Sequence, residues 1–484
     1  MHCKIAYLKI LGVLILLISH FSTAAQDANY WSSAYGPGSF FMPGGVVAYN
    51  GDSGVLFVNP ALLAYSRNNA ASISGTLYQI QQVTIKNGAG TSLDLKSSHG
   101  TIVPLMIAHS IPFKLKLPFS LVYAITTRPV LNYSATQRRE MTDNVLNDSY
   151  SPGDEVFIGQ YSLNNSSSET SFILSGGLAL SDHWTVGVTL EGLMHKTDYI
   201  NNAKLRALQN AGSDTILFPP VSSVEAYYQL NAWSVGGRIK GGISYRPNGH
   251  HAFGLMITSP LVNLMGSATL LADEEISDLQ WIPGIPLNVL ASTRQTNLKS
   301  KWKMPVSIAA GYTWDFEKGQ LYLASEYFGK VDDYNVVTPR NEAFIRPDTA
   351  ARNTTQMLRF HDARQAVMNF GIGCSFDLKE KIRGYVSLRT DFSYATDNLF
   401  GNRDGYKVNV SDINIYHAQI GANLLKKKFN LRAGLLLSYG KSNDYQQVVN
   451  FDDPKDSNVL LGTPGKTSAT TFTVAALVSY LYNF

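Results

Sequence analysis

The chain has 484 residues, with 40 Lys+Arg against 36 Asp+Glu and a formal charge of +4. A balance so close to neutral excludes the concentrated basic surface of a dedicated nucleic-acid binder, and 2 Cys, Cys3 and Cys374, exclude a multi-thiolate metal site. Aromatics make up 11% of the residues, led by 26 Tyr, alongside 39 Gly; soluble and membrane-bound β proteins share that composition, so strand patterning has to separate them.

At the N-terminus Lys4 and Lys9 precede an apolar run, Ile10 to Ile18, and then the small residues Ser22-Thr23-Ala24-Ala25. The apolar core is shorter than the roughly 20 residues of a helical span. Basic start, short apolar core and small residues before Gln26 predict a cleavable secretory signal over 1–25. Cys374 is then the one cysteine of the exported chain, which leaves no internal disulfide.

Residues 26–70 do not alternate. Gly36-Pro37-Gly38 and Gly44-Gly45 predict irregular backbone. Asn59-Pro60 ahead of Ala61-Leu62-Leu63-Ala64-Tyr65 predicts a short helix, with Asn as N-cap and Pro at the first helical position. The apolar content (Phe40, Phe41, Val55, Leu56, Phe57, Leu62 and Leu63) favours burial over dangling in solvent.

From residue 71 to 484 the chain reads as strands with one apolar and one polar face. In Trp184 to Glu191 the even positions are apolar and the odd ones small, polar or charged. Val306, Ile308, Ala310, Tyr312, Trp314 and Phe316 share a face opposite Ser307, Gly311, Thr313 and Asp315. The second strand, Ile102 to Ile111, contains Pro104, which cannot donate to a sheet ladder and reads by itself as a local bulge. Short connections at Phe113–Pro118, Ser181–His183, Arg246–His250, Glu317–Gly319, Asp377–Ile382 and Lys426–Lys428 take turns with stretches expected to be long and irregular, at 129–170, 195–231, 259–303, 329–365, 393–414 and 440–468. Asn164-Asn165-Ser166-Ser167-Ser168 reads as a polar loop tip within the first of these. The third carries apolar side chains from Leu261 to Leu271 and at Leu279, Trp281, Ile282, Ile285 and Leu287, the mark of an interaction surface.

Short turns gathered at one end and long loops at the other characterise outer-membrane barrels, and six short turns imply about 14 strands. The expected fold is therefore all-β: a transmembrane antiparallel barrel in the cell outer membrane, with residues 26–70 inside its lumen. The last strand puts Phe472, Val474, Ala476, Val478, Tyr480, Tyr482 and Phe484 on one face. Its final aromatics, Tyr480, Tyr482 and Phe484, resemble the signal read by the outer-membrane assembly machinery.

Gly44-Gly45-Val46-Val47-Ala48 and Val55-Leu56-Phe57-Val58-Asn59-Pro60-Ala61-Leu62-Leu63 resemble the FadL/TodX family of outer-membrane fatty-acid and hydrocarbon transporters. That family carries an Asn-Pro-Ala stretch in an N-terminal plug ahead of a 14-stranded barrel. The resemblance implies a plug over 26–70 with Asn59, Pro60 and Ala61 as its motif, passive uptake of a hydrophobic ligand, and lateral release beside a kinked strand, which would give Pro104 a role as gate. This chain departs from the family in having Gly51-Asp52-Ser53-Gly54 before the motif and Leu62 after it. Members of the PorV type instead act as partners in protein secretion and surface attachment, which is the alternative reading.

An Arg or Lys facing lipid at mid-bilayer costs about 2–4 kcal/mol, so Glu191, Arg238, Lys240, Arg389, Asp391 and Arg432 are expected to face the lumen. There they either brace the wall as ion pairs or present a basic excess to a ligand carboxylate; under the second account Arg238, Lys240, Arg389 and Arg432 are the candidates. Enzyme activity is not expected: the serine of Gly51-Asp52-Ser53-Gly54 lacks a recognisable base and orienting partner. His99, His109, His183, His195, His250, His251, His361 and His417 show no metal-binding spacing, so neither metal nor cofactor is expected. Cys374 falls on the apolar face with Phe370, Ile372 and Phe376.

Overall fold

The computed structural model describes residues 29–31, 47–48, 58–65, 70–111, 119–210, 219–282, 285–346, 354–395, 405–407 and 412–483. The expected signal over 1–25, the turn at Phe113–Pro118 and Phe484 lie outside the described residues.

Alternation becomes wall. In chain order the strands are β1 (Ala70–Ile85), β2 (Leu95–Ile111), β3 (Phe119–Asp143), β4 (Glu155–Ala179), β5 (Trp184–Leu208), β6 (Val221–Tyr245), β7 (His251–Thr258), β8 (Val262–Ile282), β9 (Ile285–Leu298), β10 (Ser307–Phe316), β11 (Gly319–Phe328), β12 (Val331–Val337), β13 (Ile345–Arg346), β14 (Phe360–Arg364), β15 (Val367–Lys379), β16 (Ile382–Asp391), β17 (Tyr406–Lys407), β18 (Ile415–Leu425), β19 (Phe429–Gln446) and β20 (Lys466–Asn483). Antiparallel neighbours run from β1 through β6, and β6 pairs with both β7 and β8, which form one wall strand broken at Ser259–Leu261. The wall continues through β10, β11, β15, β16, β18, β19 and β20. β20 then pairs with β1 from Ala70↔Asn483 to Ile85↔Ala469, which closes a fourteen-stranded barrel.

The outer face carries the apolar residues. On β5, Trp184, Val188, Leu190 and Met194 are exposed while Thr185, Thr189 and Glu191 between them are buried. Phe370, Ile372 and Phe376 face outward with the partly exposed Cys374 beside them. Aromatic side chains mark both rims: Trp184 stacks on Tyr245 at 4.4 Å and Phe429 on Tyr480 at 5.8 Å near the short turns, and Trp233 and Tyr439 stand outward at the opposite rim. In β20, Phe472 and Tyr480 face out, while Leu477 and Leu481 turn inward with Thr471, Thr473 and Ser479.

Three of the stretches expected to be irregular are long β-hairpins instead. β3 through β6 have 25 residues each, so 129–143 and 155–170 continue one hairpin and 195–208 and 221–231 the next. Asn164 to Ser168 lies in mid-strand, paired with Pro129, Leu131, Asn132, Tyr133 and Ser134 on β3 and with Lys196 to Ile200 on β5. Leu261 to Leu271 and Trp281 to Leu287 likewise belong mostly to the β8–β9 hairpin. A membrane-crossing strand needs only about 9–11 residues, so the excess projects beyond the bilayer. The outer face records the boundary: Phe172 and Leu174 give way to Thr170, Ser168 and Ser166 on β4, and Met194 gives way to Lys196 on β5.

Candidate functional site

The lumen holds three layers of buried residues.

The layer nearest the short turns begins with a row of glycines. Gly177 pairs with Gly187, and Gly187 with Gly242. Without side chains, this patch of wall admits the backbone of Pro60–Tyr65, a 3-10 helix with Pro60 to Ala64 buried. A Cβ at Gly187 would run into Pro60 and Ala61, one at Gly242 into Asn59 Oδ1, and one at Gly177 into Pro60 and Ala64. Asn59 is fully buried. Its Oδ1 accepts from Ala61 N at 3.0 Å, which caps the turn, and its Nδ2 donates to Val47 O at 2.8 Å and to Ile243 O on the wall at 3.1 Å. Asn59, Pro60 and Ala61 thus sit inside the barrel at the short-turn end. Gly254 and Gly311 do the same for Val47 and Ala48.

Above lies a layer of charge. Glu191 receives Arg238 through Nε at 2.7 Å and Nη2 at 2.9 Å, and Lys240 Nζ at 3.0 Å. Arg128 donates to Glu169 Oε2 from Nε at 3.1 Å and from Nη2 at 2.5 Å, and His195 approaches the other carboxylate oxygen at 3.5 Å. A small cavity of about 60 Å³ lies among Thr126, Arg128, Glu169, Glu191, Arg238 and Lys240. On the far wall Arg389 donates to Gln419 at 3.3 Å, beside Asp391 and His417, and its Nε and Nη2 have no hydrogen-bond partner among the described residues. Asp391 anchors Tyr30 and Trp31: its Oδ1 accepts from Tyr30 N at 3.1 Å and Trp31 N at 2.9 Å, and Trp31 Nε1 reaches Glu326 at 2.8 Å.

The outermost layer is aromatic. Three segments, β12, β14 and β17, form a small sheet of their own. It packs into the barrel mouth, with Tyr406 stacked on Tyr228 at 3.5 Å and Phe360 edge-on to Tyr199 at 5.1 Å. Trp302 stacks flat on His195 at 3.6 Å, and the Arg364 guanidinium, held by Asp362 at 2.9 Å, lies over Trp302 at 4.6 Å and over Tyr394 at 4.4 Å. Burial in this mouth lowers the pKa of His361, and Asp333 at 3.0 Å works against that shift.

The four candidate basic residues are therefore not gathered at one point. Arg238 and Lys240 share Glu191, Arg389 stands on β16, and Arg432, buried on β19, faces its neighbours Asn423 and Ser479 nearer the short turns. Sequence reasoning missed Arg128, Glu169 and Trp302. The first two lie in stretches whose polar residues on both faces hide the period of two.

Between the layers the wall itself is interrupted. β2 pairs with β1 over nearly its whole length, but with β3 only from Met106↔Thr126 to Ile111↔Leu121. The ladder stops two residues from Pro104, where the β1–β2 register also shifts between Ser74 and Gly75. Proline has no N–H for a ladder, which suits it to such a break. Beyond the gap Ser134 N donates to Ser97 Oγ at 3.0 Å and Gln137 Nε2 to Asp94 O at 2.8 Å, rejoining the strands. The ladder thus ends at Thr126, which with Arg128 borders the small cavity.

No protein-family model matches the chain, and no curated protein matches it by sequence. Solved structures do match. A Pseudomonas aeruginosa FadL homologue aligns over 94% of this chain and 100% of its own with a TM-score of 0.58 and 12% identity. The Pseudomonas putida toluene transporter TodX aligns over 95% and 100% with a TM-score of 0.54 and 14% identity. The Ralstonia pickettii toluene transporter TbuX aligns over 93% and 98% with a TM-score of 0.52 and 14% identity. Two of these neighbours are toluene transporters, and the chain has the fold that the three share, the closed fourteen-stranded barrel of the FadL and TodX type.

Proposed function

We propose that the protein is a channel for passive uptake of a hydrophobic small molecule of the fatty-acid or hydrocarbon class, without enzymatic activity. The observation that carries this reading is the end of the β2–β3 ladder at Met106↔Thr126, beside the charged layer, and there we place a sideways exit from the lumen to the membrane side of the wall. The mouth is filled by aromatic side chains and the opposite end by Asn59–Tyr65, so a straight aqueous path is absent among the described residues. A hydrophobic molecule has a reason to leave sideways: every apolar Å² it moves from water into lipid is favourable.

In this reading the aromatic mouth around Tyr199, Tyr228, Phe360 and Tyr406 receives the ligand. Residues 26–70, with Asn59, Pro60 and Ala61 seated on the glycine row, act as the plug, and Pro104 keeps the exit from zipping shut. Arg389, whose Nε and Nη2 have no described partner, meets a ligand's polar end, whereas Arg238 and Lys240 mainly brace the wall through Glu191; Arg432 stays a lesser candidate. Tyr480, Tyr482 and Phe484 serve assembly. A role as a secretion partner finds no specific support in these features.

Pro104→Ala restores an N–H where the ladder breaks. Vesicles reconstituted with the variant are expected to accumulate a fluorescent long-chain fatty acid or an aromatic hydrocarbon several-fold more slowly than those with the wild type. Unchanged uptake with a folded barrel would remove Pro104 and the gap from the mechanism.

A further inference from the structure

The short-turn rim is not evenly charged. The β15–β16 turn carries Lys379, Lys381 and Arg383, the β18–β19 turn Lys426, Lys427 and Lys428, and the β10–β11 turn Lys318. Against these stand Glu317, Asp377 and Glu380. Hydrogen bonds hold the three turns side by side: Leu425 N donates to Lys381 O at 2.8 Å and Asp377 N to Lys318 O at 2.8 Å. Arg383 is engaged by Asp377 at 2.7 Å. The lysines are exposed. The other described short turns differ. Ser181–His183 contains Asp182 and no Lys or Arg, and the Arg246 side chain bonds back to Gly249 O at 3.2 Å and faces Asp315 at 3.6 Å.

We infer that this sector of the rim is a binding site for anionic phospholipid headgroups of the inner leaflet of the outer membrane. Depth decides between a lipid and a soluble acidic protein. Leu378 and Phe376 are exposed on the outer wall and immediately precede Lys379, so the hydrocarbon boundary reaches to within a residue or two of the lysines. Across the sector Phe429 and Tyr480 mark the same level. Lysine stems lie along apolar surface and carry their ammonium groups into the headgroup zone, where phosphates are the first anions they meet. Basic clusters beside a membrane attract acidic lipid in proportion to their number. Because the seven cations occupy three adjacent turns, the site selects for charge in one sector, and lipid residing there would hold the barrel at a fixed depth. None of this depends on what passes through the lumen.

The test uses the full-length purified protein, delipidated in detergent and offered phosphatidylglycerol and phosphatidylethanolamine in equal amounts, with retained lipid counted by native mass spectrometry. Wild type is expected to retain phosphatidylglycerol at least about fivefold over phosphatidylethanolamine. Adding roughly 0.5 M salt should erase the preference, since it shortens the range of such attraction to a few ångströms. Replacing Lys379, Lys381, Lys426, Lys427 and Lys428 with Gln should bring the ratio to unity, while Lys196→Gln, Lys204→Gln and Arg206→Gln at the opposite end leave it intact. A wild type with no preference, a folded rim variant that keeps it, or equal loss in the opposite-end variant overturns the inference. Were the rim variant not to fold, the salt series on the wild type would decide.

Discussion

Leucine at both Gly187 and Gly242 unseats the Asn59–Tyr65 segment while the wall stays closed. The backbone of Pro60 and the side chain of Asn59 occupy the space where each new side chain would begin. Backbone cannot step aside as the end of a lysine can. Overpacking costs about 1–3 kcal/mol per site, and every 1.4 kcal/mol is about tenfold in an equilibrium, so the pair shifts the seated state by about thirtyfold or more. The readout is a cysteine placed at Ala64, buried in the seated segment, in a background where Cys374 is Ser. Its maleimide labelling should be slow in the parent and at least about thirtyfold faster in the double variant. The heat-modifiable migration of a folded barrel should persist in both. Equal labelling rates would mean that the glycine row does not hold the segment.

The second large effect is expected at Glu191. Its carboxylate receives three donors from Arg238 and Lys240 and is almost fully buried. Removing one partner of a buried ion pair leaves uncompensated charge and costs about 3–5 kcal/mol, whereas replacing all partners with apolar groups of similar size is often neutral or better. Glu191→Leu should therefore lower the denaturant midpoint of the lipid-reconstituted barrel sharply. Glu191→Leu with Arg238→Met and Lys240→Met should return it close to wild type. Recovery in the triple variant identifies the trio as a wall brace. A triple variant as unstable as the single one would show that the charges do more than neutralise one another.

What the sequence discloses follows from where contrast between strand faces exists. Trp184 to Glu191 and Val306 to Phe316 sit in the bilayer, where lipid demands apolar residues on one face, so the period of two is legible. Above the bilayer both faces of β4 are polar: Ser166 and Ser168 meet water while Asn165 and Ser167 are buried. With no contrast to read, strand looks like loop, and only the pairing with β3 and β5 reveals it. The segment around Asn59-Pro60-Ala61 was legible as a capped turn because capping is local. Its seat was not, because Gly177, Gly187 and Gly242 become one surface only through register. The same holds for Glu191 and Arg238, which are 47 positions apart and directly opposite across β5 and β6. Pro104 was visible within the second strand, but the end of the ladder at Met106, two residues away, is legible only from the pairing with β3.

One paired measurement on wild-type protein reaches the centre of this account: ion current across a planar bilayer and uptake of a hydrophobic probe into vesicles, from the same purified sample. A mouth filled by aromatic residues, a plug at the far end and a sideways exit predict faster probe entry than in protein-free vesicles, with no steady open-pore current. Stable ohmic conductance without accelerated probe entry would describe a water-filled pore and contradict the proposal.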